Sequence, residues 1–270
     1  MNNKPEVFFH VGLERTATTF LQKRIFPHLK DIHHVTRKEY DNYEKIIAET
    51  NHKKYLISNE ISNDKLGNEL NKISLRFPKA KIIIVMRRQD KWIASQYKRA
   101  VKNGFPHRLN KFLDIDNDKG KWKKKYLYFF RFIEIIEKKF HNSPLVLFHH
   151  QLKEEPVEFV RRLLDYLGTE TPLEDLSLKP THVSYSKKQL IIRRWISKRG
   201  LFKEPKTSSK TGINYFLRIY KKMFRYLILN VATLIPEKAI KEKELINEEE
   251  LQRIQKYFEE DWNKCLNYEQ

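Results

Sequence analysis

Hydrophobic residues fall along this chain in two rhythms. Short, flat apolar runs occupy residues 6–11, 55–59, 81–86 and 144–149. Runs of that length, rich in β-branched residues, read as strands buried on both faces. Each is followed by a stretch in which apolar residues recur every three or four positions. That alternation predicts βαβ units and one parallel sheet. Residues 121–140 read as a long helix, with Tyr126, Phe129, Phe130, Ile133 and Ile136 turned to a core. Residues 104–121, rich in Asn, Asp, Lys and Gly, read as a mobile connection or lid. Beyond Gly168 the pattern changes: a Pro-containing loop at 169–182, a basic helix at 184–198 and a polar loop at 200–212. An amphipathic helix follows at 214–235. Asn247, ahead of Glu248, Glu249 and Glu250, reads as the N-cap of a last helix that runs to about Leu266. The expected fold is a single α/β domain, with a core over 1–168 and a helical C-terminal part over 169–270.

Parallel sheets hold ligands beyond the C-terminal ends of their strands. Three charged residues fall there: Arg15, Glu60 and Arg87. After the first strand the chain reads Gly-Leu-Glu-Arg-Thr-Ala-Thr-Thr-Phe-Leu-Gln over 12–22. Strand, tight turn and helix start in that order make an anion site, because the first amides of a helix lack intrahelical acceptors. Arg15 adds a charge, and Thr16, Thr18 and Thr19 add hydroxyls. The segment is not a Walker A loop, which needs two glycines and a Lys. An ordinary strand-to-helix turn with solvated hydroxyls has the same composition. After the third strand, Arg87 is followed eight residues later by Ser95, two turns into the next helix. A guanidinium and a hydroxyl so spaced can converge on one phosphate, or stand as surface residues.

These two segments, in this order, resemble the 5′-phosphosulfate loop and the 3′-phosphate motif of sulfotransferases that use 3′-phosphoadenosine 5′-phosphosulfate (PAPS). The style is that of bacterial and carbohydrate-directed members. Leu56-Ile-Ser-Asn-Glu60 resembles that family's second strand, which often ends in an acid. Residues 146–168, 183–194 and 258–266 resemble its later segments, so the likeness touches most of the chain. It implies a P-loop-like nucleotide-binding core over 1–168, PAPS as donor and 3′,5′-adenosine bisphosphate (PAP) as product. It implies a site of Arg15, Thr16, Ala17, Thr18 and Thr19 for the 5′ side, with Arg87 and Ser95 for the 3′-phosphate. Two positions depart from the family. Ala17 stands where Gly is usual, and Arg15 where Lys is frequent. Guanidinium keeps the charge but is a planar fork rather than a point charge. A methyl group at 17 lies near the expected sulfonate, where Gly would allow unusual backbone angles.

Charge and cysteine content narrow the rest. The formal net charge is +20. Basic surfaces attract nucleic acid, anionic membrane or acidic substrates, whereas lysines spread along the whole chain also fit simple compositional drift. An anionic glycan or glycolipid acceptor is the sharper expectation, with no nucleic acid. The 214–235 segment fits an anionic membrane surface or a core helix with a solvated basic face. The single cysteine, Cys265, excludes an internal disulfide and a multi-cysteine metal site. The polar start and the lack of a long apolar run lead to cytoplasmic residence by default, with peripheral membrane contact through 214–235.

Sulfuryl transfer asks for in-line geometry and stabilisation of charge on the leaving oxygen. Arg15 and the surrounding amides are the candidates for stabilising it. The attacking hydroxyl or amine must lose a proton, and Glu60 is the candidate base. A helix-capping acid is its plainer reading. His10 and His149 are rival bases, and no metal is called for. Two other functions remain open on the residues alone. One is a P-loop-like kinase, which needs a Mg²⁺-binding acid near the first loop. The other is a nucleotide- or anion-binding protein without turnover.

Overall fold

The computed structural model describes residues 4–179, 185–200, 211–236, 238, 240 and 244–269, with backbone alone at 211–215, 218, 221 and 222. The strands are β1 (Glu6–Leu13), β2 (His33–Val35), β3 (Lys54–Ile61), β4 (Lys81–Met86) and β5 (Leu145–Phe148). The helices are α1 (Thr18–Phe20), α2 (Tyr43–Glu49), α3 (Asn63–Arg76), α4 (Gln89–Lys102), α5 (Phe130–Lys139) and α6 (Gln151–Glu154), then α7 (Pro156–Leu167), α8 (Lys187–Lys198), α9 (Thr211–Leu234), α10 (Glu248–Tyr257) and α11 (Glu259–Leu266). The chain forms two compact units. One comprises residues 1–89, 125–181 and 258–270, the other 90–124 and 182–257.

The first unit holds a five-stranded, wholly parallel sheet in the order β2-β3-β1-β4-β5. β1 is central, paired with β3 from Glu6↔Lys54 to Leu13↔Ile61 and with β4 from Phe8↔Lys81. Every residue from Ile82 to Met86 is fully buried, as its flat apolar run requires. On one face Phe8, Leu56, Ile83 and Leu147 pack with Phe159 and Leu163 of α7. Phe20, Leu21, Ile25 and Phe26, just after β1, join the same core. They anchor the start of the helical segment that follows the first strand. On the other face Phe9 meets Tyr43 and Phe77 edge-on or tilted, at 5.3 and 5.8 Å between ring centres.

Some boundaries differ from the periodicity. β2 is a strand that the pattern does not announce, because three residues with two histidines make no apolar run. The helix expected over 121–140 is instead a 3₁₀ turn, Lys124–Leu127, and then α5. The break has a distant cause. The Asp261 carboxylate of α11 accepts from the Phe129 and Phe130 amides at 2.8 and 3.3 Å, and from Gln89 Nε2 at 2.7 Å. A side chain more than 130 positions away thus caps α5, a service that N-terminal amides need and that no local pattern reveals. The last helix begins as expected, with Asn247 Oδ1 accepting from the Glu249 amide at 2.8 Å. It then breaks into α10 and α11 at the buried Phe258.

The second unit holds most of α4, the 104–124 segment and α8 to α10. The expected lid at 104–121 is anchored: Leu109, Phe112 and Leu113 are buried, and Leu113 bridges to Trp122. A Cβ on Gly120 would fall 2.7 Å from the Asp114 backbone nitrogen, so this turn closes only with glycine. Polar residues concealed three apolar anchors there. α8 starts on a full capping box, Ser186 with Gln189. α9 spans most of the expected 214–235 and begins three residues earlier. Parts of three sequence readings, at 180–182, 183–184 and 201–210, lie outside the described residues.

Candidate functional site

The site begins where β1 ends. A Cβ on Gly12 would lie 2.8 Å from Thr18 Cγ2. Glycine therefore lets the chain fold back onto its own strand. Arg15 and Ala17 both adopt left-handed backbone, with φ of 67° and 71°. For a residue with a Cβ this costs roughly 1–2 kcal/mol. Turns that mix left- and right-handed residues aim successive amides to one side, the geometry of an anion-binding nest. Ala17 is also the N-cap of α1, and its carbonyl takes the Phe20 and Leu21 amides at 2.8 and 3.2 Å.

The threonines divide by role. Thr16 Oγ1 donates to the Leu13 carbonyl at 2.6 Å, and Thr18 Oγ1 donates to the same oxygen at 3.2 Å. Both side chains are buried. Their hydroxyl protons hold the loop shut onto the strand, while Thr19 is half-buried and Arg15 exposed. What this loop offers an anion is backbone amides, the Thr19 hydroxyl and the Arg15 guanidinium.

β4 supplies the second cation. Arg87 follows the strand directly, and its Nη1 donates to the Arg15 carbonyl at 3.1 Å. The strand order places this pair where the connections leave the sheet in opposite directions, β3 and β2 on one side of β1, β4 and β5 on the other. Such switch points are where open parallel sheets bind ligands. His149, just past β5, reports the local field. Its amide donates to the Met86 carbonyl at 2.8 Å. Burial, then Arg87, Lys153, Arg15 and His150, pull its pKa down to about 3. Two guanidiniums from two strand ends therefore act on one imidazole, and a group of opposite charge placed there would be stabilised. These residues fit a phosphate dianion. The sequence places His149 as the last residue of its strand and reads it as a rival base; the structure sets it one residue past β5, beside the two guanidiniums.

β3 ends differently. Glu60 stands opposite Gly12 in the β1–β3 register. It lies within the strand, and the N-cap of α3 is Ser62, so Glu60 is not a helix cap. Its side chain is 21% exposed and its Oε2 accepts from Arg37 Nη1 at 3.1 Å. Arg37 follows the unforeseen β2, which is why no local pattern points to it. The carboxylate is thus partly exposed at the end of β3, with a guanidinium on one of its oxygens.

His10 is closed off. It is 1% exposed, its Nδ1 shares a hydrogen bond of 2.8 Å with Ser58 Oγ, and its ring meets Phe26 edge-on. Burial lowers its pKa to about 3, with His34 adding to the effect. Gln22 Nε2 reaches the same Ser58 Oγ at 2.9 Å, so the group forms a polar floor tying β1, β3 and the helical segment together. Ser95 falls in the second unit, buried on α4. Its assignment rests on the eight-residue spacing from Arg87. Tyr97, two residues on, is fully buried and donates to the His107 carbonyl at 2.9 Å. Among the described residues no group of three or more His, Cys, Asp or Glu could hold a metal ion.

No protein-family profile and no curated protein sequence matches this chain. Solved structures do. A sulfotransferase from Alicyclobacillus acidocaldarius is similar over 74% of this chain and 96% of its own, at 14% identity and a TM-score of 0.52. The mouse sulfotransferase SULT7A1, solved in complex with PAP, is similar over 64% of this chain and 62% of its own, at 14% identity and a TM-score of 0.39. The likeness to the bacterial structure, over about three quarters of this chain, speaks for the architecture. The chain has the fold of the sulfotransferases.

Proposed function

We propose that this protein transfers a sulfuryl group from PAPS to a hydroxyl or amine of an acceptor, a carbohydrate or glycolipid. The observation that carries the reading is the joining of two cationic strand ends, Arg15 and Arg87, beside a left-handed, amide-rich loop at the switch point of the sheet. Bound PAPS supplies the sulfuryl group and the nucleotide 5′-phosphate that leaves. The chain supplies the rest. Amides of residues 16–19 and the Arg15 guanidinium hold the 5′ side and stabilise the charge that grows on the leaving oxygen. Arg87 holds the 3′-phosphate, and Ser95, by its sequence spacing, adds a hydroxyl. Glu60 takes the acceptor proton at Oε1 or Oε2. Arg37 keeps that carboxylate oriented until an acceptor displaces it.

One observation favours a second reading, a nucleotide binder without turnover. Ala17 brings a methyl group into a left-handed position of the loop where glycine is the unstrained choice. Calorimetric titration of PAP against 5′-ADP, at matched ionic strength, tests the shared first step. Tight binding of the bisphosphate, with 5′-ADP at least about tenfold weaker, is the expected result. Equal or absent binding overturns the role of Arg87. Sulfate transfer from labelled PAPS to acceptor glycans then separates the enzyme from the silent binder.

A further inference from the structure

The charge excess is not evenly spread. Residues 185–234 hold thirteen Lys and Arg against a single acid, Glu204, out of a formal net charge of +20 for all 270 residues; Arg193 and Arg194 among them are buried, and Arg225 donates to Asn103 at 2.8 Å. Two helices of one compact unit, α8 and α9, account for most of this stretch and pack on each other. Gln189 Nε2 and Lys188 Nζ of α8 donate to the Leu229 and Thr233 carbonyls of α9, both at 2.8 Å. Leu229 and Ala232, on this side of α9, are completely buried.

Along the other side of α9 runs a row of exposed apolar side chains. Phe216, Tyr220, Met223, Leu227, Val231 and Leu234 are 48% to 82% exposed. At 100° per residue they fall within one narrow stripe, about 27 Å long at the rise of an α-helix. Soluble surfaces rarely line up apolar side chains in this way. The sequence of the same helix holds Arg218, Lys221, Lys222 and Arg225 and no Asp or Glu. On α8, Trp195 is half exposed, with the Arg199 guanidinium 3.6 Å from its ring centre. An apolar stripe on a helix whose only charged residues are cations, with aromatic side chains that carry polar tips, is what a helix lying in the plane of a bilayer surface presents. No described helix is long and apolar enough to cross a membrane.

We infer that α9 docks this protein on an anionic lipid bilayer, its apolar stripe entering the acyl boundary and the exposed cations of the α8–α9 pair, Lys187, Lys198 and Arg199 among them, meeting acidic headgroups. Charge selects this occupant. A second copy would bring the same positive excess to the interface and repel it. A surface-bound protein would meet acceptors that are themselves lipid-linked.

The test is flotation of the full chain with vesicles of phosphatidylcholine alone, or with about one third phosphatidylglycerol. Binding to the anionic vesicles is expected, with neutral vesicles at least about tenfold weaker. Raising the salt to about 0.5 M should weaken it again, because the Lys and Arg side chains are then screened from the headgroups. The double variant Met223→Glu, Leu227→Glu should cut anionic binding by about 100-fold. Both positions are exposed, so its circular dichroism should match the parent; Phe216→Ser gives a milder second probe should it not. Three results overturn the inference: no recovery with either vesicle, recovery unaffected by both variants, or self-association in sedimentation velocity that the double variant abolishes while vesicles bind nothing.

Discussion

The ends of β1 and β3 lie side by side, Gly12 facing Glu60 in register, and do opposite things. β1 stops in a turn that is nearly all backbone. Two left-handed residues bend it, two buried threonines tie it to Leu13, and a guanidinium points out. β3 runs straight to Ile61 and presents one side chain, a carboxylate held by Arg37. The first end suits an anion that is bound and released. In the proposed reaction the second takes a proton. Adjacent strands can separate the two jobs because a parallel sheet sets neighbouring ends about 4.8 Å apart without coupling their loops.

Glu60→Gln tests the division hardest. Turnover should fall on the order of 100-fold or more while PAP affinity, read by calorimetry, is kept. Loss of both together would show that one site, not two, spans the strand ends. Arg87→Ala should act the other way. It should weaken PAP by about 10- to 100-fold, the range of a lost charge-assisted hydrogen bond, and 5′-ADP far less. An equal loss for both nucleotides would remove the 3′-phosphate from the β4 end. Ala17→Gly sharpens the comparison most gently. Relief of left-handed strain should raise stability by up to about 1 kcal/mol, offset by the added freedom of the unfolded chain. Activity should be kept or raised, and collapse of nucleotide binding would show that this loop depends on the methyl group.

How far these features could be read from residues follows the same physics. Flat apolar runs announced four strands, and β4 lies where its run placed it. The placing of Arg15 and Arg87 at neighbouring strand ends was legible, because residues just past buried runs emerge at the C-terminal edge of a parallel sheet. β2, and with it Arg37, was not legible, since three residues with two histidines carry no period. The inward turn of Thr16 and Thr18 was also hidden: hydroxyls look alike in sequence whether they face a ligand or Leu13. The Asp261 cap on α5 joins residues too distant for any local pattern. The basic α8–α9 region was readable by counting charge in windows, and a whole-chain average concealed it.

If Arg15 and Arg87 share one anion site, His149 stands in their field. Its folded pKa of about 3 lies below the ordinary 6.5, so the neutral ring is favoured and protonation is resisted as pH falls. Histidine ring signals followed by NMR from about pH 7 to about pH 5, assigned with His149→Gln, measure this directly. His149 should stay neutral across that range in the nucleotide-free protein, and PAP should move its pKa upward by neutralising the guanidiniums. A His149 that titrates near 6.5 without nucleotide and ignores PAP would contradict a shared site.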